Sequence, residues 1–103
     1  MDVKKSDEIY KYSNPIQAIK NAREYLGDDV EIYRSTHKGK KFMIFNNTNN
    51  KFVHFGALGY LDFTKHKDIN KRDKYLKRAT HILGKWIDDK YSPNNLSINI
   101  LWK

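Results

Sequence analysis

The stretch KKFMIFNNTNNKFVHFG, residues 40–56, decides the fold because it holds two apolar segments separated by a polar turn. Residues 42–45 and 52–55 are rich in aromatic and β-branched side chains, which is typical of strands. The Asn-rich residues 46–50 predict a turn, since Asn tolerates the left-handed conformation and bonds to its own backbone. Two strands joined by so short a connection are expected to pair antiparallel.

A third strand is predicted just before this hairpin. Val30, Ile32 and Tyr33 lie in a β-prone run that ends at Arg34, and residues 36–39 have turn chemistry with Gly39 available for positive φ. The sequence therefore predicts a three-stranded antiparallel meander. Such a sheet is stable when a helix covers one of its faces.

The first helix is predicted over residues 14–26. Ser13 or Asn14 can cap it, and Pro15 suits its first position, where a missing N–H costs nothing. Gly27 is expected to end it in a left-handed conformation. The residues expected on its apolar side recur at helical spacing: Ile16, Ile19, Ala22 and Leu26.

A second, basic helix is predicted over residues 70–83, with Asn70 as its cap and Gly84 as its stop. Its expected apolar side consists of Tyr75, Leu76, Ala79, Ile82 and Leu83. Residues 61–68 are predicted to form an ordered loop anchored by Leu61 and Phe63. The C-terminal residues 93–102 fit either a strand, from their alternation, or a short helix starting at Pro93, and the helix is preferred slightly.

The chain is thus predicted to be a small α+β domain over residues 13–103, preceded by a flexible N-terminus over residues 1–12. Its 103 residues fit one domain. No apolar run approaches the roughly 20 residues that span a bilayer, and no signal-peptide core is visible, so we expect a protein that is neither secreted nor membrane-bound. The absence of Cys excludes disulfides, Cys-based zinc sites and thiol nucleophiles.

The formal net charge of +8 is concentrated in the second half of the chain. Residues 1–50 hold nine basic and seven acidic side chains, whereas residues 51–103 hold eleven basic and five acidic ones. Seven bases and two acids fall within residues 65–78. Such a concentration favours a polyanionic partner, although a solvated helix face has the same composition.

The predicted nucleic-acid site combines these bases with neighbouring aromatic and imidazole groups. Its basic members could neutralise successive phosphates, and Tyr60 could stack on a base because it follows two glycines in a surface loop. The predicted binding residues are Lys65, Lys67, Lys71, Arg72, Lys74, Lys77, Arg78, Tyr60 and His66. The alternative for the aromatic residues nearby, Phe63 above all, is a place in the core.

Other motifs have simpler interpretations. Residues 56–59 have the Gly-x-x-Gly spacing of a KH-domain loop, but they follow a strand and lack basic side chains, so a turn is favoured.

The sequence also contains candidate metal ligands. Asp62, His66 and Asp68 alternate as metal ligands can, and His54 and His81 could join them in space, but the interleaved lysines would repel a cation. The sequence predicts no catalytic residue, no metal and no cofactor. A phosphodiesterase or metal-dependent nuclease using His54 or His66 ranks as the third hypothesis.

The residues from Lys51 to Asp68 resemble the central motif of small uncharacterised proteins of large eukaryotic DNA viruses. The pattern HFGxxGYxDFTxHxD continues through Arg78, Trp86 and the C-terminal LSxxILW, residues 96–102. Members commonly have an Arg-His pair where this chain has Arg78-Ala79. The resemblance implies a viral origin and a location in the virion or the infected-cell cytoplasm.

The leading hypothesis is a small basic viral accessory protein that binds DNA or RNA without strong sequence preference. The alternative is a virion structural or capsid-associated module whose basic helix meets an acidic viral protein surface. In that case an exposed Tyr60, Trp86 or Trp102 would anchor the contact.

Overall fold

The computed structural model describes residues 3–103 and shows an α+β domain in which a meander is covered by helices. The helices are α1 (Ile9–Tyr12), α2 (Pro15–Leu26), α3 (Phe63–His66), α4 (Ile69–Ala79) and α5 (Pro93–Leu96). The strands are β1 (Ile32–Arg34), β2 (Lys40–Asn46) and β3 (Lys51–Ala57). A 3₁₀ turn (Trp86–Asp88) precedes α5, and a π-helical turn (Ser97–Leu101) continues it. The predicted fold class is confirmed.

The sheet has the order β1-β2-β3, and both pairings are antiparallel, as the sequence predicted. Ile44 lies between Ile32 on β1 and Val53 on β3, while Phe42 pairs with Phe55. The side chains of Ile32, Phe42, Ile44 and Phe55 are buried in one core. Because side chains alternate along a strand, the intervening residues of β2 face the opposite side of the sheet.

Helix α2 covers the core with two small residues. Asn14 accepts a hydrogen bond from the backbone N–H of Gln17, so it is the cap. Ala18 and Ala22 are fully buried, whereas Ile16 is 72% exposed. The predicted apolar side was therefore wrong at Ile16, because the helix turns its alanines toward the C-terminal turn over residues 97–101, and such small side chains let the two backbones approach closely.

The N-terminal segment is more ordered than the sequence suggested. A flexible segment was expected over residues 1–12, of which residues 1 and 2 lie outside the described part. Residues 9–12 form α1, and Ile9 is completely buried in the core. The Asp7 carboxylate accepts a hydrogen bond from the N–H of Ile9 at 2.9 Å and pairs with Arg34 at 3.1 Å. These contacts hold the segment against the sheet.

The middle of the chain departs from the prediction at three points. The expected loop over residues 61–68 contains the helical turn α3. Asp68 caps α4, rather than Asn70, by accepting from the N–H groups of Asn70 and Lys71. Helix α4 ends at Ala79, so Ile82 and Leu83 do not extend its apolar side and are exposed.

The C-terminal segment is helical, which confirms the preferred alternative and makes the strand alternative wrong. Ser92 caps α5 by accepting from the N–H of Asn95, and Pro93 occupies the first helical position. Leu96, Ile100 and Leu101 are buried in the core beside α2 and β3. None of the helices within residues 3–103 is long and apolar enough to cross a bilayer.

Candidate nucleic-acid interface

A buried ion pair involves Asp62, which lies between Tyr60 and the basic residues 65–78 from which the nucleic-acid site was predicted. The Lys41 ammonium is 2.8 Å from the Asp62 carboxylate, and both side chains are almost fully buried. Burial lowers the pKa of Lys41, and the nearby Asp62 charge opposes that shift. Asp62 also caps α3 by accepting hydrogen bonds from the N–H and hydroxyl of Thr64. Asp62 is therefore part of the scaffold and does not face solvent.

Thr64 joins this pair to the first helices. Its hydroxyl oxygen accepts a hydrogen bond from the N–H of Asn14 at 2.9 Å and lies 3.0 Å from the Ser13 hydroxyl. The N–H of Asp62 donates to the carbonyl of Tyr12 at 3.1 Å. These bonds fix α3 against the start of α2, and thereby set where the following basic helix begins.

The Gly-x-x-Gly segment is a turn, as the favoured interpretation held. Gly56 and Gly59 both have positive φ, at 83° and 103°. A Cβ on Gly56 would lie 2.8 Å from Cδ1 of Leu101 and 3.1 Å from Cβ of Lys41. Gly56 therefore lets the strand pass closely over the core while the chain turns out toward Tyr60.

A cleft of about 510 Å³ opens where this turn faces α4 and the C-terminal helix, residues 93–101. Tyr60 lines it and is 73% exposed. Two further lining residues, Tyr75 and Trp102, stack on each other with ring centroids 4.1 Å apart and planes 9° apart. The Arg78 guanidinium lies 5.7 Å from the Tyr75 ring centroid, and Lys40 also lines the cleft. The cleft thus combines aromatic surface with two exposed cationic groups.

Three bases of α4 lie together beside this cleft. Lys71, Lys74 and Arg78 are exposed and occupy positions i, i+3 and i+7 of the helix, so they share one face. Lys77 is also exposed and lies next to Lys74, three residues further along the helix. We call Lys71, Lys74 and Arg78 the basic stripe. Because Arg78 belongs to the stripe and also lines the cleft, the two features are continuous.

The side chain of Arg72 is held in place by contacts with Trp102 and Phe63. Its Nε donates to the backbone carbonyl of Trp102 at 2.8 Å, and its guanidinium lies 5.4 Å from the Phe63 ring centroid. The side chain is half-buried. It therefore fastens α4 to the C-terminal residues and is less available to a phosphate than its neighbours on the stripe.

Lys65 and Lys67 line a hollow that is separate from the cleft. Both are exposed and line a hollow of about 340 Å³ together with Tyr10 and Asn14. That hollow shares no lining residue with the cleft. Of the seven predicted bases, only Arg78 lines the cleft, whereas Lys65 and Lys67 line this separate hollow.

His66 is half-buried and lies between aromatic rings. Its ring centroid is 5.3 Å from that of Trp102 and 6.1 Å from that of Phe63. Nδ1 accepts from the N–H of Asp68 at 2.9 Å, and Nε2 is buried without a partner in the described residues. Burial, followed by the Lys71 charge, lowers the pKa of His66. His66 is therefore packed among aromatic rings, in surroundings that disfavour its charged form.

The remaining candidate ligands are dispersed. His54 shares a 2.7 Å hydrogen bond with Ser35 and stacks on His37, with ring centroids 3.4 Å apart. Burial, helped by His37 and Lys40, lowers the pKa of His54. Within residues 3–103, no three His, Asp or Glu side chains converge as a metal would require. Sequence reasoning missed the His37–His54 stack because it depends on strand register.

The comparisons with known proteins concern the middle of the chain. A family model matches residues 30–79, described as a family of unknown function (DUF5754). All nine predicted binding residues lie inside the matched segment, as does the Lys41–Asp62 pair. Helix α2 and the C-terminal helix lie outside it. No curated protein and no solved structure matches the chain.

Proposed function

We propose that the protein binds single-stranded nucleic acid without strong sequence preference, through the basic stripe and the adjoining cleft. The observation that carries the proposal is the position of Arg78, which belongs to the stripe and lies against aromatic residues in the cleft. Successive phosphates of the strand would contact Lys71, Lys74 and Arg78, and Lys77 would make a fourth phosphate contact. A base would enter the cleft and stack on Tyr60.

The cleft favours single strands over duplexes. Bases in a duplex are stacked on each other, whereas a single strand can turn one base outward onto an aromatic side chain. The volume of about 510 Å³ lies in the range of small-ligand pockets, so it can hold one base. As the sequence resemblance implied, the proposed setting is a viral accessory protein associated with the genome.

The test is fluorescence anisotropy of a labelled oligothymidine and a matched duplex, titrated with the full chain at several salt concentrations. Four phosphate contacts predict a slope of log affinity against log salt of about −3 for the single strand. Tyr60→Ala is expected to weaken binding to the single strand roughly tenfold through lost stacking.

A matched pair of variants separates the stripe from general charge. Lys71→Gln/Lys74→Gln and Lys65→Gln/Lys67→Gln each remove two lysines, but only the first pair lies on the stripe. The first pair is expected to reduce the salt slope by about 1.4 and the second to leave it nearly unchanged. Equal effects of both pairs would reject the proposed site, and no binding at low salt would reject the function.

A second candidate function, a structural module that contacts an acidic viral protein, is favoured by an exposed apolar loop. Leu83 is 94% exposed, and Ile82 and Ile87 beside it are also exposed. Trp86 is only half-buried but donates its Nε1 hydrogen to the carbonyl of Ile82, so the loop has a fixed shape. These aliphatic residues would anchor the contact.

Light scattering of the purified protein mixed with virion proteins tests this second candidate. A complex is expected that Leu83→Ser weakens and Lys65→Gln leaves intact. A chain that ignores every virion protein yet binds the oligonucleotide would reject it.

A further inference from the structure

The face of the sheet that points away from the core carries an aromatic cluster. Tyr33 on β1, Phe45 on β2 and Phe52 on β3 are 41%, 37% and 45% exposed. Phe45 and Phe52 are directly paired across the two strands. The three rings line a pocket of about 380 Å³, together with Tyr91. This cluster lies outside the proposed nucleic-acid interface and shares no lining residue with its cleft.

The three rings pack against one another edge to face. The Phe52 ring centroid is 5.2 Å from that of Phe45, with planes 70° apart, and 6.0 Å from that of Tyr33, with planes 80° apart. Phe52 thus packs edge to face with both neighbours, so the three rings form one continuous and partly exposed aromatic surface. A cation seated against this surface interacts with the negative face of a ring.

The charged side chains that line this pocket are acidic, whereas the chain as a whole has a net positive charge. Asp29 and Glu31 line it, both are exposed, and no Lys or Arg does. Neither carboxylate forms an ion pair within the described residues. In a chain of net charge +8, a pocket with two free carboxylates and four aromatic rings is suited to a cation.

We propose that this pocket, formed by Tyr33, Phe45, Phe52 and Tyr91 with Asp29 and Glu31, binds a methylated lysine side chain of a protein partner. Methylation keeps the positive charge and replaces strongly hydrated N–H groups with apolar surface, which aromatic walls accept. Choline headgroups offer the same ammonium, but their phosphate would follow within two carbons and be repelled by the carboxylates. Lysine presents its ammonium on an uncharged stem.

The test is an NMR titration of the isotope-labelled full chain with three probes. The first is a short peptide containing trimethyl-lysine, the second is the same peptide with a neutral tert-butyl isostere, and the third is phosphocholine. The trimethyl-lysine peptide is expected to shift the resonances of Tyr33, Phe45 and Phe52, and to bind roughly tenfold tighter than the neutral isostere.

Substitutions in the pocket, together with a control in the other cleft, show where the trimethyl-lysine peptide binds. Phe52→Leu keeps an apolar side chain and is expected to reduce the affinity for the trimethyl-lysine peptide about fivefold. The double variant Asp29→Asn/Glu31→Gln is expected to reduce that affinity by a similar factor. Tyr60→Leu, an exposed aromatic change in the other cleft, is the matched control and should have no effect. Equal affinity for the neutral isostere would overturn the proposal, as would tighter binding of phosphocholine or shifts centred on Tyr60 instead of Phe52.

Discussion

Lys41 is the residue whose charge is least compatible with its position. The neighbouring Lys40 is exposed, whereas Lys41 is buried and has the Asp62 carboxylate as its ionic partner. A buried pair gains little over an apolar pair, but removing one partner leaves an uncompensated charge in the interior. The pair therefore makes the position of Asp62, and with it α3, sensitive to a single change on β2.

Lys41→Met is expected to lower the free energy of unfolding by about 3–5 kcal/mol, because the Asp62 carboxylate would remain buried without its cation. Urea denaturation followed by circular dichroism measures this. Lys40→Met, one position earlier and exposed, is the control and should change stability by less than about 0.5 kcal/mol. Similar losses from both variants would mean that the ion pair has no special role.

The residues of the site were only partly predictable from the sequence. Tyr60 was expected on the surface because two glycines precede it, and the structure exposes it. His66 and Arg72 looked equally accessible in the sequence, yet both pack against Trp102. Trp102 is distant in the chain, and no local pattern indicates that contact. Composition located the charge, but tertiary packing determined which charges remain available.

At the scale of elements, Asn95 holds the loop before α5 in place. Its side-chain amide donates to the carbonyls of Trp86 and Asp89, each at 2.9 Å, and to that of Ile87 at 3.3 Å. One buried amide thus bonds to three carbonyls of residues 86–89, and none of these four residues belongs to the core cluster. The exposed residues Leu83 and Ile87 therefore belong to a loop whose shape depends on α5.

Asn95→Ala is expected to destabilise the protein by about 1–3 kcal/mol and to speed amide hydrogen exchange in residues 86–92, because each of the three carbonyls loses the hydrogen bond from Asn95. Hydrogen exchange followed by mass spectrometry gives the location. Asn99→Ala removes a bond made to Asn95 within the same helix and should leave the loop unchanged. Uniform acceleration along the whole chain would contradict a local role.

The elements themselves were easier to predict than their ends. The strands and α2 follow from periodicity, capping and turn residues that lie within the elements. Helix α4 was predicted too long because Ile82 and Leu83 continue its apolar spacing, although nothing in the fold covers them. Spacing indicates which face of a helix could be buried, but whether a partner surface exists depends on the rest of the chain.

At the scale of the whole molecule, stability is expected to fall below about pH 6.5. Burial lowers the pKa of His66 and of His54 in the folded chain, and unfolding restores the ordinary value of 6.5. The unfolded chain therefore binds more protons than the folded chain below that pH, and protons favour unfolding. Urea denaturation at pH 7.5 and 5.5 should give the lower free energy of unfolding at pH 5.5.

Two variants assign this pH dependence. His66→Phe places an apolar ring between Phe63 and Trp102 and should make stability less dependent on pH. His81→Gln changes an exposed imidazole and should keep the dependence of the native sequence. A free energy of unfolding that rises on acidification would show that other groups dominate in this range.

The bond between Asn21 of α2 and the carbonyl of Ile100 has a consequence for folding kinetics. It joins residues 79 positions apart, so a long loop closes before the contact forms. Loop closure of that length costs about 4 kcal/mol in chain entropy by the logarithmic rule, before any packing compensates it. Topologies dominated by such distant contacts cross their transition state slowly. Refolding is therefore expected to be slower than that of a helical bundle of the same length.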